Sequence, residues 1–157
     1  MRKKGTASLL LFSVSILAAY LLWPSDESRI RKLFKEGARA VESGDLEGVM
    51  AKVSFNYRDE YGMTYLSLKE MLKREFQGLS DISIEYGDLK IQVREDAATA
   101  EMDVRVIATS GNETGYIAGD IKTPLHLRFT LGKERTKWQI IGTEGFEASH
   151  GTSSSVR

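Results

Sequence analysis

The chain has 157 residues, no cysteine and two histidines, and its 22 basic residues balance its 22 acidic residues. The lack of cysteine excludes disulfides and thiolate metal sites, and two histidines are too few for a multi-histidine zinc centre. We therefore expect no metal and no cofactor. The length is enough for one small domain.

An uncharged apolar run from residue 7 to residue 23 follows three basic residues, Arg2, Lys3 and Lys4. As a helix the run would cover about 26 Å, close to the hydrocarbon thickness of a bilayer. Because basic residues stay in the cytoplasm, we expect residues 1–24 to be a signal anchor in the inner (plasma) membrane. The domain that follows would then lie in the periplasm or outside the cell. A cleaved signal peptide, which would give a secreted protein, is the alternative.

The rest of the chain is mildly acidic. Without Arg2, Lys3 and Lys4, 19 basic residues remain against 22 acidic residues, a net charge of −3. Neutralisation of phosphates by basic residues supplies most of the affinity for nucleic acid. We therefore expect no binding to nucleic acid.

The first half of the exported part has the apolar spacing of helices. Ser25 is the predicted N-cap of the first helix and Gly44 its stop. Asp45 is the predicted cap of a short second helix. Ser67 and Glu70 are predicted to form a capping box that opens the third helix.

The second half alternates with a period of two, which predicts strands with one apolar face covered by helices. The apolar phase breaks across residues 86–88, which indicates a bulge or bend. Residues 110–115 are predicted to be a loop. A turn at residues 132–135 is predicted to close a hairpin in which Phe129 faces Trp138.

Helices followed by a bent antiparallel sheet describe an α+β domain. This order, the segment from Asn56 to Leu72 (NYRDEYGMTYLSLKEML) and the strand Trp138-Gln139-Ile140 resemble the nuclear transport factor 2-like superfamily, also described as SnoaL-like or cystatin-like. The resemblance implies that residues 25–147 form a cone of helices and sheet with a cavity at its wide end. The polar residues 148–157 are predicted to be a disordered tail. The superfamily includes isomerases, dehydratases, cyclases, transport adaptors and binding domains, so the fold does not choose a function.

Enzymes of this fold use acids or His–Asp pairs that project into the cavity. Glu144 is the one carboxylate in phase with Trp138 and Ile140, so it is the sole, weak catalytic candidate. The glycines on either side of Glu144 favour a kink that would turn it outward. Four other ionisable residues fall in the opposite phase and are expected on the outer face of the sheet: Asp103, Arg105, His126 and Arg128.

Three tyrosines spaced by four, Tyr57, Tyr61 and Tyr65, precede or open the third helix. Their phenols could hydrogen-bond or stack on a ligand at the mouth of the cavity, or simply close the open end of the cone. The predicted ligand-binding residues are these three together with Phe76, Phe129 and Trp138.

The sequence thus predicts a membrane-tethered extracytoplasmic domain that binds a small apolar ligand or an envelope protein partner. One alternative is an isomerase-, dehydratase- or hydrolase-type enzyme that uses Glu144 and a tyrosine. The other is a structural subunit that dimerises through the outer sheet face, where Ile107 and Ile141 form a small apolar patch. The resemblance also implies dimerisation through that face.

Overall fold

The structure, a computed structural model, describes residues 24–145. The predicted apolar run of residues 7–23 and the predicted tail of residues 148–157 lie outside the described residues. No helix among residues 24–145 is both long and apolar enough to cross a bilayer.

Within residues 24–145, three helices precede a five-stranded antiparallel sheet. The helices are α1 (Asp26–Glu42), α2 (Leu46–Met50) and α3 (Tyr65–Gly78); the strands are β1 (Leu79–Arg94), β2 (Ala97–Ser110), β3 (Glu113–Ala118), β4 (Leu125–Glu134) and β5 (Lys137–Glu144). The sheet order is β1-β2-β4-β5. One edge of β2 pairs with β4 up to Val104 and with β3 beyond it. The predicted α+β class, with helices on a bent sheet, is confirmed.

Local hydrogen bonds at two helix starts confirm the predicted caps. The hydroxyl of Ser25 accepts from the Ser28 N–H at 3.2 Å, and the carboxylate of Asp45 accepts from the Gly48 N–H at 2.9 Å. Each cap satisfies an N–H that has no partner within its helix.

The predicted start of α3 is wrong by several residues. The helix begins at Tyr65, after the N-cap Thr64. The Thr64 N–H donates to the Ser67 hydroxyl at 2.7 Å, so Ser67 occupies the N3 position of a capping box and not the N-cap position. A serine can occupy either position of such a box, and the pairing with Glu70 was the wrong choice.

Strand β1 bends where its apolar phase breaks. Its pairing with β2 shifts between Gly87 and Lys90, and Asp88 has φ 50° there, which confirms the predicted bulge. A second shift lies between Ser80 and Ser83 and was not predicted. Strand β3 was also not predicted, because none of its residues is fully buried and alternation is therefore absent.

Side chains of α1 hold the bent strand. The carboxylate of Glu42 accepts from the Ile84 N–H at 3.0 Å, and the guanidinium of Arg31 donates to the Leu89 carbonyl at 3.4 Å. These two contacts fix α1 along β1 at both of its irregular stretches.

The predicted register of the β4–β5 hairpin is wrong. Phe129 lies opposite Thr143, and Trp138 lies opposite Lys133. Strand β4 continues to Glu134, so the turn falls at residues 135–136 and not at residues 132–135. A bulge then shifts the register again between Thr130 and Leu131.

The sheet and α1 enclose the main apolar core. Phe34 of α1 packs edge-to-face on Phe129, with ring centroids 5.0 Å apart. The buried members of this core are Ile30, Leu33, Phe34, Ala98, Ala100, Met102, Val104, Leu127, Leu131 and Trp138. A smaller core of Met50, Val53 and Tyr57 lies beside it, and Ile140 packs against both.

The segment after α2 covers the free edge of β5. Val53 forms a parallel bridge with Ile140, whose carbonyl accepts from the Ser54 N–H at 2.9 Å. Farther along, the Arg58 N–H donates to the Ile141 carbonyl at 3.0 Å. The segment therefore behaves as an extra strand and closes an edge that would otherwise expose unpaired backbone groups.

Candidate functional site

Part of the inner face of the domain is only half covered. Each of its members is half-buried and packs against at least one of the two cores. We call this set the inner apolar surface, and it consists of Ile84, Val106, Leu125, Phe129 and Ile140 from the sheet with Leu68 and Leu72 from α3. Apolar side chains that face the inside of a domain yet remain half open are what a site for an apolar ligand requires.

The incomplete cover has its origin in α3. This helix carries an apolar stripe at helical spacing, Leu68, Met71, Leu72 and Phe76, but none of its residues is fully buried. It packs against α2 and β1. The buried side chains of β2 and β4 share the main core with those of α1 instead. The stripe is therefore available to contact a bound molecule.

A phenol and a hydroxyl lie beside this surface. Tyr57 is only 6% exposed, and its hydroxyl is hydrogen-bonded to the side chain of Thr143, the residue opposite Phe129. Burial raises the pKa of Tyr57 above its ordinary value of 10.0; the bond to Thr143 lowers it and the charge of Asp59 raises it further. Tyr57 is thus a neutral phenol at neutral pH, able to donate or accept one hydrogen bond.

The structure separates the three tyrosines. Tyr57 belongs to the small core, whereas Tyr61 is 64% exposed in a connection that turns at Gly62, with φ 81°. Tyr65 begins α3 and packs on the ring of Phe55, with centroids 4.6 Å apart. Tyr57 and Tyr65 both adjoin the inner apolar surface, because Tyr65 and three members of that surface pack against the small core that contains Tyr57.

The other predicted ligand-binding residues have different surroundings. Phe76 and Phe129 are half-buried, on α3 and β4 respectively, and Phe129 belongs to the inner apolar surface. Trp138 is buried in the main core, and its indole N–H donates to Asp26 at 3.0 Å. Trp138 therefore holds the fold together and has little surface left for a ligand.

Glu144 lies on the outer face of the sheet. It is exposed, opposite Arg128, with the carboxylate 3.9 Å from the guanidinium. The bulge opposite Thr130 and Leu131 reverses the phase of β5, so Glu144 no longer keeps step with Trp138. Its carboxylate therefore points away from the inner apolar surface, in the direction that the flanking glycines favoured.

The outer face carries a row of carboxylates, each in contact with an arginine or a histidine. Glu101 and Arg128 approach to 2.7 Å, Asp103 and the Nδ1 atom of His126 to 2.8 Å, and Glu85 and Arg105 to 3.9 Å. The predicted outward phase of these strand residues is confirmed. Ile107 and Ile141 on this part of the sheet are half-buried, and dimerisation through the face stays a prediction.

A separate cleft of about 360 Å³ lies between α1 and α2 and was not predicted. Its rim carries the ion pair of Lys52 and Glu36, which lowers the pKa of Glu36. No strand residue lines the cleft, so it is distinct from the inner apolar surface. Within residues 24–145, no group of three or more potential ligands could hold a metal ion.

No protein-family model and no curated protein matches this sequence. Solved structures, in contrast, match its fold. A candidate scytalone dehydratase from Novosphingobium aromaticivorans superposes with a TM-score of 0.65 at 15% identity, over 75% of this chain and 80% of that chain. A nuclear transport factor 2-like protein with a cystatin-like fold from the same organism gives 0.61 at 18% identity, over 81% and 84%.

A Mycobacterium tuberculosis protein of unknown function gives a TM-score of 0.62 at 17% identity, over 73% of this chain and 71% of that chain. The described domain therefore has the nuclear transport factor 2-like fold, as the sequence predicted. Identities this low establish the fold and leave the activity open.

Proposed function

We propose that this protein is a membrane-tethered, extracytoplasmic domain that binds a small apolar ligand at the inner apolar surface. The observation that carries the proposal is the set of half-buried apolar side chains, on the sheet and on α3, that pack against the two cores without being fully covered. Apolar ligands gain roughly 25 cal/mol per Å² of apolar surface removed from water, so such a surface binds them without specific polar contacts. The half-buried hydroxyl of Thr143, opposite Phe129, would supply one orienting hydrogen bond.

An enzyme of the isomerase, dehydratase or hydrolase type is the second candidate, because the structural neighbours include candidate dehydratases. General acid–base catalysis needs a titratable group within hydrogen-bond reach of the substrate. The members of the inner apolar surface are aliphatic or aromatic, and Glu144 lies on the opposite face. Binding without turnover is therefore the better-supported function.

A fluorescent apolar probe tests the proposed site. We expect N-phenyl-1-naphthylamine to bind the full chain with increased emission, and we expect Val106→Gln to weaken that binding. The adjacent substitution Ile107→Gln is the matched control, because successive strand residues point to opposite faces. Equal affinity for both variants and the unchanged chain would place the probe elsewhere and contradict the proposed site.

The tether is tested separately, because it rests on the sequence of residues 1–24 alone. We expect the full chain to sediment with the membrane fraction and to resist extraction by carbonate. A C-terminal alkaline phosphatase fusion should be active, since that enzyme requires an oxidising compartment. A chain that stays in the soluble fraction would contradict the tether. So would an inactive alkaline phosphatase fusion together with an active C-terminal fusion to a reporter that works only in the cytoplasm.

A further inference from the structure

Two large apolar side chains protrude at the two ends of the connection between α2 and α3, Phe55 after α2 and Leu66 in the first turn of α3. Phe55 is 81% exposed and Leu66 is 72% exposed. Tyr65, the residue before Leu66, packs on the Phe55 ring and so joins the two sides of this feature. We call these three residues the Phe55–Leu66 patch. Most exposed apolar residues occur singly, whereas adjoining ones of this size indicate a contact surface.

Hydrogen bonds link this patch to the start of α1. Asp26, the first residue of α1, accepts a hydrogen bond from Lys133 of β4 at 3.0 Å. The next residue of β4, Glu134, accepts a hydrogen bond from the buried hydroxyl of Ser54, which directly precedes Phe55. The patch and the start of α1 therefore lie at the same end of the sheet, beside the β4–β5 turn.

The start of α1 is also where the apolar run of the sequence arrives. Only Pro24 and Ser25 separate residue 23 from α1. Two extended residues span at most about 7 Å, so a bilayer that holds residues 7–23 would lie close to this end of the domain.

We propose that the Phe55–Leu66 patch contacts the interfacial region of the bilayer. The inference rests on the proposed tether and adds the orientation of the domain. Aromatic and leucine side chains favour the boundary between headgroups and acyl chains, so burying the patch there would remove it from water. The β2–β3 turn would point away, because the 14 residues of β2 place it about 43 Å from the opposite turn.

The lack of native cysteine allows one nitroxide label to be placed at a chosen position. The labelled full chain would be reconstituted into vesicles of phosphatidylethanolamine and phosphatidylglycerol. The variants are Phe55→Cys and Leu66→Cys, with Asn112→Cys in the exposed β2–β3 turn as the control. Collision rates with oxygen, which concentrates in the bilayer, and with a water-soluble nickel chelate report the depth of each label.

We expect the ratio of oxygen to nickel collisions to be several-fold higher at positions 55 and 66 than at position 112. Equal ratios at all three positions in a chain that sediments with the vesicles would overturn the inference and leave the tether standing. Shielding of the label at position 55 from both reagents would show that a protein, and not the bilayer, covers the patch. Broadening of its spectrum by a second label would show that a second copy of the chain covers it. A chain that remains in the supernatant would overturn the tether and the inference with it.

Discussion

The indole N–H of Trp138 donates to Oδ1 of Asp26 across 3.0 Å, which joins the first residue of α1 to the last strand of the sheet. Lys133 donates to the other oxygen of the same carboxylate at 3.0 Å, and its ammonium lies 5.5 Å from the centre of the Trp138 ring. The bond from Trp138 and then the bond from Lys133 hold the pKa of Asp26 below its ordinary value. One carboxylate therefore fixes α1 on the β4–β5 hairpin in its ionised form.

The first prediction concerns the charge of Asp26. Asp26→Asn keeps an oxygen for the indole but removes the negative charge that Lys133 and the start of the helix favour. We expect a loss of about 1 kcal/mol in the free energy of unfolding at pH 7, because the site is partly exposed. Denaturant titration would measure the loss. Glu27→Gln, the neighbouring exposed acid, is the control and should cost less.

The loss of stability caused by Asp26→Asn should depend on pH. A carboxyl whose pKa is lower in the folded state contributes stability above the unfolded pKa of about 4, and that stability disappears as the pH falls through the folded value. The difference between the unchanged chain and Asp26→Asn should therefore be constant above about pH 5 and shrink at lower pH. A difference that persists unchanged in acid would show that the charge of Asp26 is not responsible.

The features that could be predicted from the sequence are those that depend on neighbouring residues. The caps at Ser25 and Asp45 are bonds between residues three apart, and the bend of β1 interrupts its own apolar alternation. The register of the last hairpin depends on a bulge opposite Thr130 and Leu131. Nothing in the local alternation marks that bulge, because residues on either side of it are apolar or small.

The candidate site was predictable only in its chemistry. Phe129 was expected among the ligand-binding residues and does belong to the inner apolar surface. Trp138 and Tyr57 are predicted there too, but both are buried in the cores, where their partners Asp26 and Thr143 are distant in the sequence. Long-range hydrogen bonds of this kind leave no periodic signal, so aromatic residues of core and site look alike in the sequence.

The second prediction compares a buried leucine with an exposed one. Leu131 is fully buried in the main core, whereas Leu66 is exposed in the first turn of α3. Leu131→Ala should lower the free energy of unfolding by about 2–5 kcal/mol, because the substitution leaves a cavity. Leu66→Ala should change it by less than about 0.5 kcal/mol. Similar losses for the two variants would contradict the position of Leu131 in the core.

The third prediction concerns the buried phenol. Tyr57→Phe removes the hydrogen bond to Thr143 and should cost about 1 kcal/mol. Burial raises the pKa of Tyr57, so the folded state keeps its proton more strongly than the unfolded state. The stability that this provides is complete below pH 10 and is lost as the pH rises through the folded pKa. Ultraviolet titration of the two chains should show that Tyr57→Phe removes a tyrosine ionisation step whose midpoint lies above pH 10. If the step that disappears has its midpoint at or below pH 10, the burial of Tyr57 is contradicted.

The fourth prediction separates two costs of replacing glycine. Gly111 and Gly119 both have positive φ, 61° and 62°, so alanine at either position adopts a left-handed conformation that costs about 1 kcal/mol. A Cβ at Gly111 would meet nothing within 4 Å. At Gly119 it would lie 2.6 Å from the carbonyl oxygen of Val104 and 2.8 Å from the amide nitrogen of Leu125.

Both of these neighbours are backbone atoms at the point where β2 changes its partner from β4 to β3, so they cannot move aside without breaking strand pairing. Gly119→Ala should therefore lower the free energy of unfolding by about 1–3 kcal/mol more than Gly111→Ala does, because the added methyl group overpacks a site that cannot relax. Thermal unfolding of the two variants side by side measures the difference. Equal melting temperatures would mean that the connection from β3 to β4 does not pass as close to Val104 as the structure has it.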